Sequence, residues 1–97
     1  MIVNERETPE GLLVSVCDSE ILGKTFSEGD VTISVSESFY GGEEMTEEGV
    51  VASLRRATVA NIVGTRSIAL AVEHGFVDES TVLTIGDTRH AQVLRLG

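Results

Sequence analysis

Runs of alternating apolar and polar residues stand at both ends of the chain, and longer apolar clusters at helical spacing lie between them. Residues 2–6 and 11–17 read as a hairpin. Its connection, Glu7-Thr8-Pro9-Glu10, carries the only proline, and Gly11 follows directly. The second run, LLVSVC, is apolar on both faces, which predicts a central strand. Asp18 stands where an N-cap belongs, its carboxylate facing the free N–H groups of Glu20 or Ile21, and Gly23 closes the short turn it opens. Ser27-Glu28-Gly29-Asp30 is a turn. Val31, Ile33 and Val35 then alternate with Thr32, Ser34 and Ser36, a strand with one wet face.

After a glycine loop, Thr46 is placed to cap a helix whose first turn holds Glu47 and Glu48 and whose apolar face begins with Val50, Val51 and Leu54. Val59, Ile62, Val63, Ala69, Leu70 and Val72 continue at mixed spacing of three and four. This predicts helix through to a left-handed cap at Gly75, either as one kinked helix or as two, with Thr58 or Gly64 marking the break. Residues 81–85 and 90–95 form a terminal hairpin across Gly86-Asp87-Thr88-Arg89. Strands in groups with helices bunched together predict an α+β fold. The expectation is a single two-layer domain over 1–97, with a mostly antiparallel sheet of about five strands and two or three helices.

Charge changes this picture more than size does. Sixteen acidic residues face seven basic ones, a net charge of −9, and Lys24 is the only lysine. An acid-rich, lysine-poor composition that keeps arginine suits molar intracellular salt, where the Debye length is about 3 Å and self-repulsion is screened. In such a medium acidity ceases to argue against a nucleic-acid partner. Cys17 is the one cysteine, and no apolar run approaches the length of a membrane span. The N-terminal residues have neither a basic start nor an apolar core. A reducing cytoplasm, no membrane and no cofactor are the expectation.

Several residues invite chemistry. Gly23-Lys24-Thr25 resembles the end of a phosphate loop, but Asp18 holds the position of that loop's first glycine, and a carboxylate there repels phosphate. Lys24 is left as a point charge or an ordinary surface lysine. Cys17 and Asp18 with His74 or His90 would make a thiol nucleophile, orienter and base, set against a cysteine that is simply a small buried hydrophobe. No metal-ligand spacing is present. Phe39-Tyr40-Gly41-Gly42 offers a tyrosine for stacking on a base beside adaptable glycines, or else only a strand end and a bend. On a continuous helix Arg55 and Arg66 would share a face with Asn61 between them. With Arg56, Arg89, His90 and Lys24 they would form a basic patch for phosphate, against the plainer reading of solvated helix ion pairs. Arg95 adds charge beside the last hairpin.

CDSEILGKTF, FYGG, ATVANIVG and IGDTRHAQ, in this order, resemble the archaeal family catalogued as domain of unknown function 424, over nearly the whole chain. The resemblance implies an archaeal, cytoplasmic, single-domain protein with a loose association with translation and RNA metabolism. The combined expectation is a non-catalytic binding protein for RNA or for a translation or RNA-processing partner. A small cysteine-dependent enzyme is the second reading. The third is an adaptor or homodimer using Phe39, Met45 and a terminal strand edge.

Overall fold

LLVSVC is apolar on both faces because it runs through the middle of a sheet. The computed structural model describes residues 1–94. In chain order the elements are β1 (Ile2–Thr8), β2 (Gly11–Cys17), β3 (Thr25–Glu28), β4 (Val31–Ser34), α1 (Glu37–Tyr40), β5 (Glu43–Glu44), α2 (Glu47–Arg56), β6 (Val59–Val63), α3 (Thr65–Glu73), β7 (Leu83–Ile85) and β8 (Thr88–Leu94). Single 3₁₀ turns occupy Ser19–Ile21 and Glu79–Thr81. Six strands form one sheet in the order β5-β1-β2-β6-β8-β7, and β3 and β4 pair separately. The class is α+β, as expected, but the sheet is mixed: β2 and β6 run parallel at its centre.

The parallel pair corrects the main misreading. Residues Val59–Val63, expected as helix, are the strand β6. With neighbours on both sides, helices over one face and the small core over the Val63 end of the other, it carries apolar residues on both faces, and its β-branched residues carry the strand preference. The helical region is therefore two helices separated by a strand. Thr58 caps neither; its N–H donates to the Leu12 carbonyl at 2.8 Å. Other short elements were also missed: β3, α1 and β5 lie in segments read as loop or turn.

The hairpin turns are tighter than expected. Thr8 pairs with Gly11 across Pro9-Glu10, and Ile85 pairs with Thr88 across Gly86-Asp87. Thr88 and Arg89 thus belong to β8 and not to its turn. Gly86 has φ +60°, the left-handed geometry a two-residue hairpin needs. The expected strand end at Arg95 lies outside the described residues.

Helix α2 starts as predicted, with Thr46 Oγ1 accepting from the Gly49 N–H at 3.2 Å. Glu47 and Glu48 lie in its first turn and Arg55 and Arg56 in its last, all complementing the dipole. Helix α3 ends at Gly75 (φ +77°), where the Phe76 N–H reaches back to the Ala71 carbonyl at 2.9 Å. Both helices cover one face of the sheet. Val3, Val14, Val16, Ala60, Ile62 and Ala91 are buried there with Val50, Leu54, Ile68 and Ala71. On the opposite face a second, smaller core covers one end only. It joins Cys17, Val63, Val35 and Tyr40 to apolar residues of the β3–β4 hairpin and α1.

Candidate functional site

The arginines singled out in the sequence do not form one patch. Arg55 ends α2 and Arg66 begins α3, with β6 between them. Glu47 lines a surface recess with Arg66, and His74 lines another with Arg55, so the helices lie side by side in the same sense with the two arginines at opposite ends. Each guanidinium has a local occupation. Arg55 sits over the Phe76 ring at 5.6 Å. Arg56 donates to Glu5 at 2.5 Å, and Arg66 lies 3.6 Å from Glu20. Arg89 pairs with Glu79 on the helix side of the sheet. The recess beside α2, about 320 Å³, is lined by Glu47 and Glu48 as well as Arg55 and His74, and two carboxylates there oppose a phosphate.

The aromatic and thiol candidates also resolve differently. Tyr40 is only 4% exposed, so it cannot stack on a base, and burial pushes its phenol up to about 12. Gly41 and Gly42 are not adaptable hinges. A Cβ on Gly42 would lie 2.1 Å from the Val3 carbonyl oxygen, and one on Gly41 would lie 2.3 Å from that of Glu37. They are glycines because the chain packs bare backbone against β1 and α1 there. Cys17 is fully buried, and burial followed by the nearby Asp18 charge pushes its thiol up to about 11. That environment opposes a nucleophilic thiolate.

Asp18 makes no side-chain bond to its own 3₁₀ turn. Its carboxylate instead accepts from the N–H groups of Arg66 and Ser67, which begin α3. His90 faces the small core in the row Cys17–Val63–His90, and burial lowers its pKa. Lys24 is exposed beside the β3–β4 hairpin. Among the described residues no three His, Cys, Asp or Glu side chains converge as metal ligands, and no helix is long and apolar enough to cross a membrane.

What the register does bring together is a row that no local spacing reveals. Asn4 of β1 lies opposite Ser15 of β2, Ser15 opposite Asn61 of β6, and Asn61 opposite Gln92 of β8. Directly paired residues share a face. The four polar side chains therefore cross the sheet in one line, on the face away from α2 and α3. The small core covers the adjoining row at Cys17 and Val63 but not this one. Asn4 Nδ2 donates to the Gly41 carbonyl at 2.6 Å. Ser15 is only 2% exposed and, like Tyr40, out of reach of a ligand; the amides of half-buried Asn61 and exposed Gln92 have no hydrogen-bond partner among the described residues. Asn61, expected on a continuous helix between Arg55 and Arg66, belongs to the site by way of a strand.

Below the polar row lies a second row, Arg6, Leu13, Val59 and Leu94. Leu13 and Val59 also line a depression of about 240 Å³ with Glu10, Gly11 and Thr58. Arg6 Nη2 donates to the Ser38 carbonyl at 3.0 Å, and its guanidinium lies 5.9 Å from the Phe39 ring centre. β1, β2, β6 and β8 turn no carboxylate to this face, Glu5 and Glu7 pointing to the helix side; Glu44 of β5, opposite Ile2, and Glu10, at the depression, stand at its edges. In a chain of net charge −9, that absence marks the face out. The serine inside LLVSVC was the one sequence signal of it.

The fold and this face define an α+β layer protein whose sheet is helix-covered on one side and half open on the other. The chain belongs to the family described as Protein of unknown function (DUF424), which its residues 5–96 match. It is also similar in fold to an uncharacterized conserved protein from Methanopyrus kandleri, whose crystal structure superposes with a TM-score of 0.81 at 22% identity, covering 99% of this chain and 93% of that one. No curated protein matches it.

Proposed function

We propose that this is a non-catalytic binding protein that holds single-stranded RNA, in translation or RNA processing, against the half-open face of its sheet. The observation that carries this reading is the row Asn4–Ser15–Asn61–Gln92, set where β1, β2, β6 and β8 of an acidic chain turn no carboxylate away from the helices. Side-chain amides offer a donor and an acceptor together, which matches the edges of unpaired bases. Arg6, held at the margin by the Ser38 carbonyl and beside the Phe39 ring, adds positive charge there. The buried Cys17 and the separation of Arg55 from Arg66 favour this face over the thiol site and the helix patch.

The test is ultraviolet crosslinking in cells with a tagged copy, followed by denaturing purification. RNA recovered above an untagged control, and lost from a variant carrying Asn61→Ala with Gln92→Ala, is the expected result. Equal recovery from that variant, or none from the wild type, refutes the reading.

A second reading has one specific observation behind it. β7 pairs with β8 only as far as His90, so Ala91–Leu94 present an outer edge with no strand partner among the described residues. Leu83 and Leu94 beside it are 58% and 69% exposed. A second copy of the chain would add its β8 there and form a homodimer. A monomeric mass by light scattering at micromolar concentration excludes it.

A further inference from the structure

Resting on the RNA reading, we propose a mode of recognition: the face grips two or three nucleotides by their base edges, with at most one or two phosphate contacts, so that binding survives molar salt. The polar row crosses three inter-strand steps of about 4.8 Å, roughly 14 Å in all, which is room for two or three bases. The amides of Asn61 and Gln92 present hydrogen-bonding groups whose needs are met only by solvent or by a ligand. The positive charge available on the face is small. Arg6 stands at one corner, and His90, at the diagonal corner, is held toward its neutral form by burial. The remaining arginines with known partners are spent elsewhere, Arg56, Arg66 and Arg89 on glutamates.

Single-stranded nucleic acid loses affinity with salt at a log–log slope of about −0.7 per neutralised phosphate. One contact predicts a loss of about fivefold between 0.2 and 2 M KCl. Five contacts, which the helix arginines with Lys24 and Arg89 would supply, predict a loss of roughly three-thousandfold over the same range. The acid-rich composition makes this distinction matter: a protein suited to molar salt cannot rest its binding on counterion release.

Fluorescence anisotropy of the purified chain decides it, with fluorescein-labelled 12-nucleotide RNA as poly-A, poly-U, poly-C and a random pool, from 0.2 to 2 M KCl. The expected result is a slope between −0.7 and −1.4, at least a fivefold spread among the homopolymers, and a tenfold or greater loss with Gln92→Ala. Gln92 is exposed, so that variant keeps its fold; Arg55→Ala with Arg66→Ala leaves the binding unchanged. A slope near −3.5 that shrinks to about −2 with the Arg55 and Arg66 variant overturns this mode while leaving RNA as the ligand. Absence of binding to every probe overturns the RNA reading, and this inference with it.

Discussion

Asp18 and Ser67, 49 positions apart in sequence, are joined through one carboxylate oxygen: Asp18 Oδ1 accepts the Ser67 N–H at 2.8 Å and the Ser67 hydroxyl at 2.7 Å. The other oxygen accepts the Arg66 N–H at 3.0 Å. A strand, a glycine and a helix N-terminus make an anion seat in many folds; here the chain fills that seat with its own buried carboxylate. Asp18→Ala would leave helix-end donors buried and unpaired, at a cost of about 2–4 kcal/mol. Ser67→Ala removes one bond and costs about 1 kcal/mol. Urea unfolding in molar salt measures both. The two effects combined should fall short of their sum, because Ser67→Ala has nothing further to lose once the carboxylate is gone.

Gly64 lies against the same carboxylate. A Cβ at Gly64 would sit 2.4 Å from Asp18 Cγ, and φ is +116°. Gly42 is tight for a different reason, the Val3 carbonyl, whereas a Cβ on Gly23 meets nothing within 4 Å. Gly42→Ala and Gly64→Ala are therefore expected to destabilise by more than about 2 kcal/mol each. Gly23→Ala (φ +88°) pays only backbone strain of about 1 kcal/mol. Thermal denaturation of the three variants should rank them in that order, with Gly23→Ala closest to wild type.

How much of this was legible differs by element. The first hairpin, the Thr46 cap, the Gly75 cap and the last hairpin rest on local chemistry, and the sequence shows them. β6 does not: VANIV lies between two helices in an apolar stretch whose spacing fits a helix as well as a central strand. The β-branched Val59, Ile62 and Val63 ahead of Gly64 were the available signal. β5 has two residues, both glutamate, and exists only because β1 offers it an edge. The polar row was beyond local reading altogether, since its four members come from four strands and meet only through register.

Cys17 gives a direct check on the thiol reading. With its thiol pushed up to about 11, roughly one in a thousand would be ionised at pH 8, and full burial removes access as well. Ellman's reagent should leave the native chain unmodified for hours and react with one thiol per chain in 6 M guanidinium. Cys17→Ala should cost about 1–2 kcal/mol of stability through the small cavity it leaves and leave RNA recovery unchanged. Rapid labelling of the folded chain would reverse the conclusion that this thiol is inert.

His90 supplies the pH dependence. Burial lowers its folded pKa below the ordinary 6.5, so between those two values the unfolded chain binds a proton that the folded chain does not. Stability then rises with pH across that window. Read downward, stability is intact above 6.5, falls as the pH drops beneath it, and stops falling from this cause once the folded value is passed. The carboxylate window is separate. Glu5 is held below its usual 4.5 by the Ser53 hydroxyl and by Arg56, so its contribution is present above 4.5 and lost only in stronger acid. Urea midpoints at pH 7.5 and 5.5 therefore isolate the histidine. The wild type should show a lower midpoint at 5.5, and His90→Gln should show a smaller difference between the two. An identical drop in the variant would assign the effect to another group and leave His90 with only its packing beside Val63 and Leu83.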